Sequence, residues 1–526
     1  MVDHKRASYF LVLAAALAAG LPTLYPTQFF LADDFAMVQQ LHQGIYGMHL
    51  DALRSVPAIS FRLDSFLFGA TNAMAYHATN VLLHCLNSLL VCAIVLAMSP
   101  TNRWVGLIAG VLFAILPCHA ETIAWISGRV DSWATLLYLG SFLCFVRFRQ
   151  HRSAESYFIS LGLFALGLFA KQTVVTLPIL LLAYEWIYGM RGRFAWRMAA
   201  HVPFLAVLML YLALRKILFG NAVREDLLHF GLFAEFARRQ AFYAKGLLPF
   251  ALDYSHPVRV AIGATTVSIV AALLWSLAAN RAKYAGTVRQ VLFFGPVWYA
   301  ITVSPMIVTY TSARHLYLTA AGVSIAFALL ILPDGKDRVT ARAGILGCLI
   351  VLYGAAFAGS IQPWVENGVT SDKISSAVPR AMRSIPRGST VFVAVPPMRH
   401  NVPLWSFALP FALQPPFDSE DLYGRFNVVE YSEAYCCPSQ QWIRHEQPIL
   451  LRLTDGQPAN KGIYVVSEGQ LTGELAVAQR AVNGPELKAK IEGVLRKPLE
   501  SPDLVIGRED AARVSAVLFS DLITGP

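Results

Sequence analysis

Two adjacent carboxylates, Asp33 and Asp34 in FLADDFAMVQQ, stand just after the first apolar run of this 526-residue chain. Neighbouring carboxylates at a membrane surface cannot both ionise cheaply, so one has its pKa raised. A carboxylate poised in that way can act as general base on a hydroxyl nucleophile. The same pair also suits a plain helix start, since Asp is favoured ahead of a helix and FAMVQQLHQG can form one. On the residues alone the helix start has the slightly better claim.

Three further constellations carry chemistry. After RSVPAISFRLDSFLFG comes NAMAYHATNVLLHCLNSLL, in which His77, Asn80, His84 and Asn87 share one helical face. In a membrane such a stripe faces the bundle interior and makes interhelical hydrogen bonds, the preferred role for His84 and Asn87. Next, LPCHAETIAWISGRVDSW crowds His119, Glu121, Arg129 and Asp131 at the end of a helical hairpin, with Trp125 at interface depth. Such a group orients a substrate or pairs internally; pairing is the commoner outcome, and the two are compatible. It has no zinc-ligand spacing. Last come single cations, Lys171 and then Arg314 with His315 before LYLTAAG. Cations at a leaflet boundary suit a lipid phosphate headgroup. Any one of them could instead be a snorkelling anchor, a reading that weakens when several share a face.

The elements that must position these residues are membrane spans. The chain is 56% hydrophobic and only 14% charged, with mean hydropathy +0.50, whereas soluble domains carry about 25% charged residues. A bilayer absorbs that excess and a water-soluble core does not. The net charge of +10 sits in short clusters between apolar runs rather than on one basic face, which argues against a nucleic-acid partner. Apolar runs near 8–25, 74–98, 104–117, 124–146, 156–170, 173–189, 199–219, 258–279, 291–310, 315–333 and 343–361 predict about eleven spans. The opening MVDHKR and its apolar run read as an uncleaved first span rather than a signal peptide.

Every second short loop is basic: Lys5/Arg6, Arg103, Arg147/Arg149/Arg152, Arg191/Arg193/Arg197, Arg281/Lys283/Arg289 and Lys336/Arg338/Arg342. That alternation predicts a cytoplasmic amino terminus and an extracytoplasmic tail. The opposite loops gather acids, bases and histidines of both signs, among them Asp33, Asp34, Arg54, Asp64, His119, Glu121, Arg129, Asp131, Lys171, Arg224, Glu225, Asp226, Arg314 and His315. Ionisable groups near hydrocarbon are costly and tend to be functional or mutually paired. The chain thus divides into a membrane domain, 1–362, and a soluble extracytoplasmic domain, 363–526. STVFVAV, GIYVVS and PDLVIG in the tail read as strands and Pro485–Leu495 as a helix, an α+β pattern without a nucleophile elbow, phosphate loop or metal motif. Of seven cysteines, most fall in apolar runs as small hydrophobes. Cys436 and Cys437 are adjacent, as separate thiols or as a vicinal disulfide, the former being the plainer reading.

The order of these motifs resembles the type-C (GT-C) membrane glycosyltransferases, in particular the branch of protein O-mannosyltransferases and mannosyltransferases that carry tetratricopeptide repeats. That branch has an acidic pair after its first span, matched by Asp33 and Asp34. Its Arg-Pro-Leu segment is matched at Arg54, with Ser55 and Val56 in place of Pro-Leu. YHATNVLLHCLNSLLV resembles its His-x-x-Asn-x-x-x-His span. LPCHAETIAWISGRVD resembles its His-Pro-x-His-x-Glu…Gly-Arg-x-Asp hairpin, with Leu116 for the first His. AKQTVVTLP resembles a Lys-Glu segment, with Gln172 for Glu. ARHLYLTAAG keeps Arg314, Leu316, Tyr317 and Leu318 of a further motif. The resemblance spans residues 1–330, and no repeat array follows.

It implies an all-α polytopic fold and inverting transfer of a sugar from a polyprenyl-phosphate donor to a hydroxyl of a protein, lipid or glycan. Asp33 or Asp34 would be the base, and Arg54, Lys171 and Arg314 would bind the donor phosphate. His77, His119, Glu121, Arg129, Asp131, His315 and Tyr317 would shape the substrate side. Some relatives use a divalent metal near the acidic pair; too few clear ligands stand here to assign one. The alternative is a transporter or lipid-linked-sugar flippase, disfavoured because no repeated halves appear and the charges lie at one face. A bacterial inner membrane is the expected location, with the tail in the periplasm.

Overall fold

A computed structural model describes residues 2–24, 29–44, 53–99, 103–188, 198–220, 233–249, 256–306, 311–333, 339–383 and 387, and thereafter 390–394, 398–399, 402–405, 408–425, 427–430, 449–452, 463–467, 480–482, 493 and 503–506. Arg224, Glu225 and Asp226, the adjacent Cys436 and Cys437, and, apart from Gly493, the helix expected at Pro485–Leu495 lie outside the described residues. The chain forms two compact units. One comprises Met1–Tyr25, Tyr46–Leu67 and Met74–Trp364; the other comprises Pro26–Ile45, Phe68–Ala73 and Val365–Pro526.

The first unit is helical. Its elements are α1 (Val2–Gly20), α3 (Ser55–Phe68), α4 (Ala73–Met98), α5 (Arg103–Ala114), the short α6 (Ala120–Ala124), α7 (Arg129–His151), α8 (Ala154–Leu168), α9 (Leu177–Tyr188), α10 (Val202–Phe219), α11 (Phe233–Gly246) and α12 (His256–Ala279). There follow α13 (Ala285–Leu292), a π-helical turn (Phe293–Val297), α14 (Trp298–Val303), α15 (Tyr317–Ile331) and the first part of the long α16 (Val339–Arg383). Helix α2 (Asp33–His42) belongs to the second unit.

Six helices among the described residues are long and apolar enough to cross a membrane: Arg6–Leu24, Ala73–Met98, Val202–Phe219, Val260–Ala279, Ala313–Ile331 and Arg342–Arg380. A seventh arises if Arg103–Ala114 and Pro117–Ala124, bent by 51°, count as one broken span. The chain is therefore an integral membrane protein. The expected runs 156–170 and 173–189 fold as the shorter apolar helices Ala154–Leu168 and Gln172–Tyr188.

Close packing of backbones organises this unit. A Cβ on Gly110 would stand 2.7 Å from a Val12 methyl and 3.1 Å from the Ser88 carbonyl oxygen, so α5 lies directly against α1 and α4. Gly106, four residues earlier, makes the same approach to the Cys92 carbonyl oxygen (3.3 Å). Small residues four apart permit such contact in a bilayer, where no hydrophobic force draws helices together. Helices α7 and α8 pair as a hairpin. Ser153 caps α8 by accepting the Ser156 amide, and each of Ser141 and Ser160 donates its hydroxyl to the other's carbonyl at 2.7 Å. Helix α15 is apolar all round and almost wholly buried, as a central helix must be.

The second unit holds an aromatic core and strands. Phe35 packs on Trp405 (ring centroids 5.3 Å apart) and on Phe417 (4.8 Å), which also meets Phe30 (5.1 Å). Trp405 Nε1 donates to Ser371 Oγ (2.9 Å), and that hydroxyl donates to the Phe30 carbonyl (2.6 Å). All three expected strand segments are strands. Thr390–Ala394 runs parallel to both Asn427–Glu430 and Ile463–Ser467, Arg480–Val482 closes this sheet antiparallel, and Asp503–Ile506 pairs antiparallel with Ile449–Arg452.

Candidate active site

The acidic pair opens α2 in the second unit, and its two members differ. Ala32 ahead of them has φ 44° and ψ −113°, a conformation that costs a residue with a side chain about 1–2 kcal/mol. Its amide donates to the Leu404 carbonyl (2.9 Å). Asp34, 1% exposed, turns back so that Oδ2 accepts the Leu31 amide at 3.1 Å, while its own amide donates to the Leu31 carbonyl at 2.9 Å. The Asp34 carboxylate therefore holds the turn. Asp33, one position earlier at the start of the helix, is half-exposed. Neither residue is a helix N-cap; that position is Ala32, which has no side-chain cap.

In the first unit, Arg129 at the start of α7 is fully buried and saturated with partners. Its guanidinium meets Asp64 Oδ2 at 2.6 Å, Ser60 Oγ at 3.1 Å, Asn80 Oδ1 at 2.8 Å and the Tyr76 carbonyl at 2.7 Å. It also lies 4.3 Å from the Phe61 ring centroid. The Thr79 hydroxyl donates to the other Asp64 oxygen (2.9 Å) and Asn80 donates to the Trp125 carbonyl (3.0 Å). Of the two roles open to this cluster, pairing is what Arg129 does. It ties α3, α4 and α7 together.

A few residues away three cations converge. Lys171, buried in the turn between α8 and α9, forms an ion pair with Asp131. Burial lowers its ammonium pKa to about 8; Asp131 pulls it up, and the charges of Arg314 and Arg54 push it further down. Arg54 directly precedes α3, whose Val56 amide donates to the Phe169 carbonyl (3.2 Å), two residues from Lys171. Arg314 lies over Trp125, its Cζ 4.6 Å from the ring centroid, and its Nε is 3.6 Å from Glu121 Oε1. Glu121 also accepts the Ser312 hydroxyl (2.5 Å) and the Arg314 amide (3.3 Å). Trp125 rests on Trp364, with centroids 5.8 Å apart. Each of Lys171 and Arg314 is thus held by its own carboxylate.

The remaining expected residues form a buried polar layer. The Tyr317 hydroxyl is 2.9 Å from His84 Nδ1, whose Nε2 stands 3.0 Å from the Ala114 carbonyl. The His119 ring packs on Tyr317 (4.5 Å) and Phe113 (4.4 Å). Asn87 donates to the Ser132 carbonyl (3.0 Å), so His84 and Asn87 act as interhelical glue. His315 Nδ1 lies 3.2 Å from the Tyr243 hydroxyl, and His77 is buried near the start of α4.

Sequence reasoning missed two buried charges. Asp64 was visible only as one more charge at the outer ends of spans, yet it is the counter-ion of Arg129. Arg215 lies inside the apolar run read as a span and is buried; a charge within a span was the signal that could have found it. Among the described residues no group of three His, Cys, Asp or Glu side chains is arranged to hold a metal ion, and Asp34 Oδ2 is engaged by the Leu31 amide.

Comparison with known proteins bears out the resemblance read from the motifs. No protein-family model matches the chain. The chain is similar to the protein O-mannosyl-transferase Tmtc1 of Drosophila melanogaster, 32% identical over 150 residues, which are 28% of this chain and 17% of the relative. It is also similar to mouse TMTC1, a protein of the same description, 34% identical over 142 residues, 25% of this chain and 15% of the relative. The chain thus spans less than a fifth of the length of these curated relatives. Among solved structures, ArnT from Cupriavidus metallidurans bound to undecaprenyl phosphate aligns with a TM-score of 0.45 and 12% identity, over 87% of this chain and 92% of that one.

Proposed function

We propose that this protein is an inverting glycosyltransferase. It moves a sugar from a polyprenyl-phosphate donor to an acceptor hydroxyl of a protein, lipid or glycan at the extracytoplasmic membrane face. The observation that carries this reading is the convergence of Arg54, Lys171 and Arg314 in the first unit, two of them fixed by Asp131 and Glu121. Sequence similarity to protein O-mannosyl-transferases supports glycosyl transfer over a transporter or flippase.

In this account Asp33 takes the proton of the acceptor hydroxyl, and the oxygen attacks the anomeric carbon on the face opposite the phosphate. The bond from that carbon to the phosphate oxygen breaks, and its electron pair leaves on the polyprenyl phosphate. Cations already held in place stabilise that charge at no reorganisation cost during the reaction. Glu121 and Asp131 work through Arg314 and Lys171, and Arg129 works through the fold. His77, His119, His315 and Tyr317 are assigned to the sugar and acceptor. The proposed setting is a bacterial inner membrane with eleven spans, residues 1–362 in the bilayer, and 363–526 in the periplasm as an α+β domain.

The test is release of polyprenyl phosphate by the purified protein from a panel of labelled lipid-linked sugars. Turnover of one donor is expected, with Arg54→Gln, Lys171→Gln and Arg314→Gln each slowing it about 100-fold or more. Failure of the wild-type protein to release polyprenyl phosphate from any donor refutes the assignment.

A further inference from the structure

The three residues directly before Asp33 each have a backbone group tied down, and two of those ties lead to the carboxy-terminal part of the chain. The Phe30 carbonyl accepts the Ser371 hydroxyl (2.6 Å), the Leu31 amide donates to Asp34 Oδ2 (3.1 Å), and the Ala32 amide donates to the Leu404 carbonyl (2.9 Å). All three residues are buried. Ala32, at φ 44° and ψ −113°, is strained, and such a conformation persists only where its surroundings over-determine it. Ser371 on α16 and Leu404 supply that constraint, and they belong to the same compact unit as the acidic pair.

Trp405 links the two ties. It follows Leu404 in the chain, and its Nε1 donates to the same Ser371 hydroxyl at 2.9 Å. Asn367, four residues before Ser371 and so on the same face of α16, donates to the Val402 carbonyl (3.1 Å). The Trp405 ring is 1% exposed and rests on Phe35 of α2, with centroids 5.3 Å apart. Further along α2, Gln39 donates to Gln414 (3.3 Å), and the short helix Leu409–Ala412 packs beside it. Aromatic packing is non-directional and would stabilise this core in several registers. The hydrogen bonds are directional, and they fix where the segment ahead of Asp33 sits.

We propose that the carboxy-terminal unit is the platform that positions the base, and that Trp405 is a positioning residue acting on Asp33 through Ser371 and the Phe30–Ala32 backbone. This inference rests on the transferase reading above. A base must lie within hydrogen-bond reach of the proton it removes, and a displacement of about 1 Å can cost about 100-fold in rate. The tail is then a working part of the transfer rather than an appended module. Its effect falls on proton removal from the acceptor, whereas the donor phosphate is assigned to cations of the first unit.

The experiment compares wild type, Trp405→Phe, Ser371→Ala and Ser371→Thr in the full chain, each alone and combined with Asp33→Asn. Trp405→Phe keeps a ring on Phe35 and removes the Nε1 donor; Ser371→Ala removes the hydroxyl that both bonds share, and Ser371→Thr keeps it. Donor Kd and kcat for release of polyprenyl phosphate are measured in detergent, with thermal midpoints alongside. Trp405→Phe and Ser371→Ala should each lower kcat about tenfold at unchanged donor Kd, and Ser371→Thr should retain most of the rate. On the residual rate of Asp33→Asn the same substitutions should cost less than about twofold, because groups that act as one unit are not additive. Should Ser371→Ala fail to fold, Trp405→Phe carries the same comparison. A lowered midpoint with unchanged kcat assigns both residues to the core alone and overturns the proposal. A loss that persists undiminished in Asp33→Asn, or that appears as weaker donor binding, overturns it too. Wild-type protein that turns over no lipid-linked sugar refutes the transferase reading itself, and full activity in Asp33→Asn removes the base assignment and this inference with it. Turnover that needs Asp33 but is indifferent to Trp405 and Ser371 removes this inference alone.

Discussion

Replacing Arg129 by Met removes a charge that Asp64, Asn80, Ser60 and the Tyr76 carbonyl hold. The Met side chain fills a similar volume but leaves Asp64 Oδ2, Asn80 Oδ1, Ser60 Oγ and the Tyr76 carbonyl without the donor they now share. An orphaned buried carboxylate dominates this loss, at about 3–5 kcal/mol. Adding Asp64→Asn removes the orphaned charge, so the double variant should recover most of that loss, with a coupling of about 2–3 kcal/mol between the two sites. The assay is thermal unfolding in detergent, followed by reaction of a thiol dye with the buried Cys85, Cys92 and Cys118. Donor binding is measured on the same samples below the transition. Arg129→Met should lower the midpoint sharply, and the double variant should restore it. A variant that keeps its midpoint while losing donor affinity would show that Arg129 is a substrate ligand, and the structural account of its network would be wrong.

Other positions give their own signatures. Lys171 should impose an alkaline limb with a midpoint at about 8 on donor turnover. Its folded-state pKa is depressed, so the cation is present below that pH and lost above it; Lys171→Arg should abolish the limb, because Arg stays charged. A Cβ on Gly322 would stand 2.3 Å from the Trp298 ring and 2.6 Å from the Phe294 carbonyl oxygen. Gly322→Ala should therefore lower the thermal midpoint by the equivalent of about 1–3 kcal/mol, the usual cost of overpacking. Asp34→Ala strips the buried Leu31 amide of its acceptor and should cost about 1–3 kcal/mol in the same assay, whereas Asp34→Asn keeps a carbonyl that can accept the bond.

The sequence made the helical membrane fold legible because apolar runs are local signals. The strands at Thr390–Ala394, Ile463–Ser467 and Asp503–Ile506 were legible for the same reason. Division of labour within the acidic pair was not, since it rests on the Leu31 amide turning back to Asp34. Nor was the pairing of Asp64 with Arg129, which depends on the crossing of α3 and α7 rather than on spacing along the chain. Arg215 disappeared into an apolar average: one charge among many aliphatic residues hardly moves a hydropathy window, yet the fold turns it inward.

The central claim is that Asp33 is the base of a lipid-linked sugar transfer while Asp34 holds the turn that presents it. The most direct measurement compares Asp33→Asn, Asp34→Asn and wild type for release of polyprenyl phosphate from a labelled donor, after equal thermal midpoints and donor binding have been established. Asp33→Asn should lose about 100-fold or more of the rate, and Asp34→Asn should keep most of it. Full activity in Asp33→Asn, or loss confined to Asp34→Asn, would contradict the account.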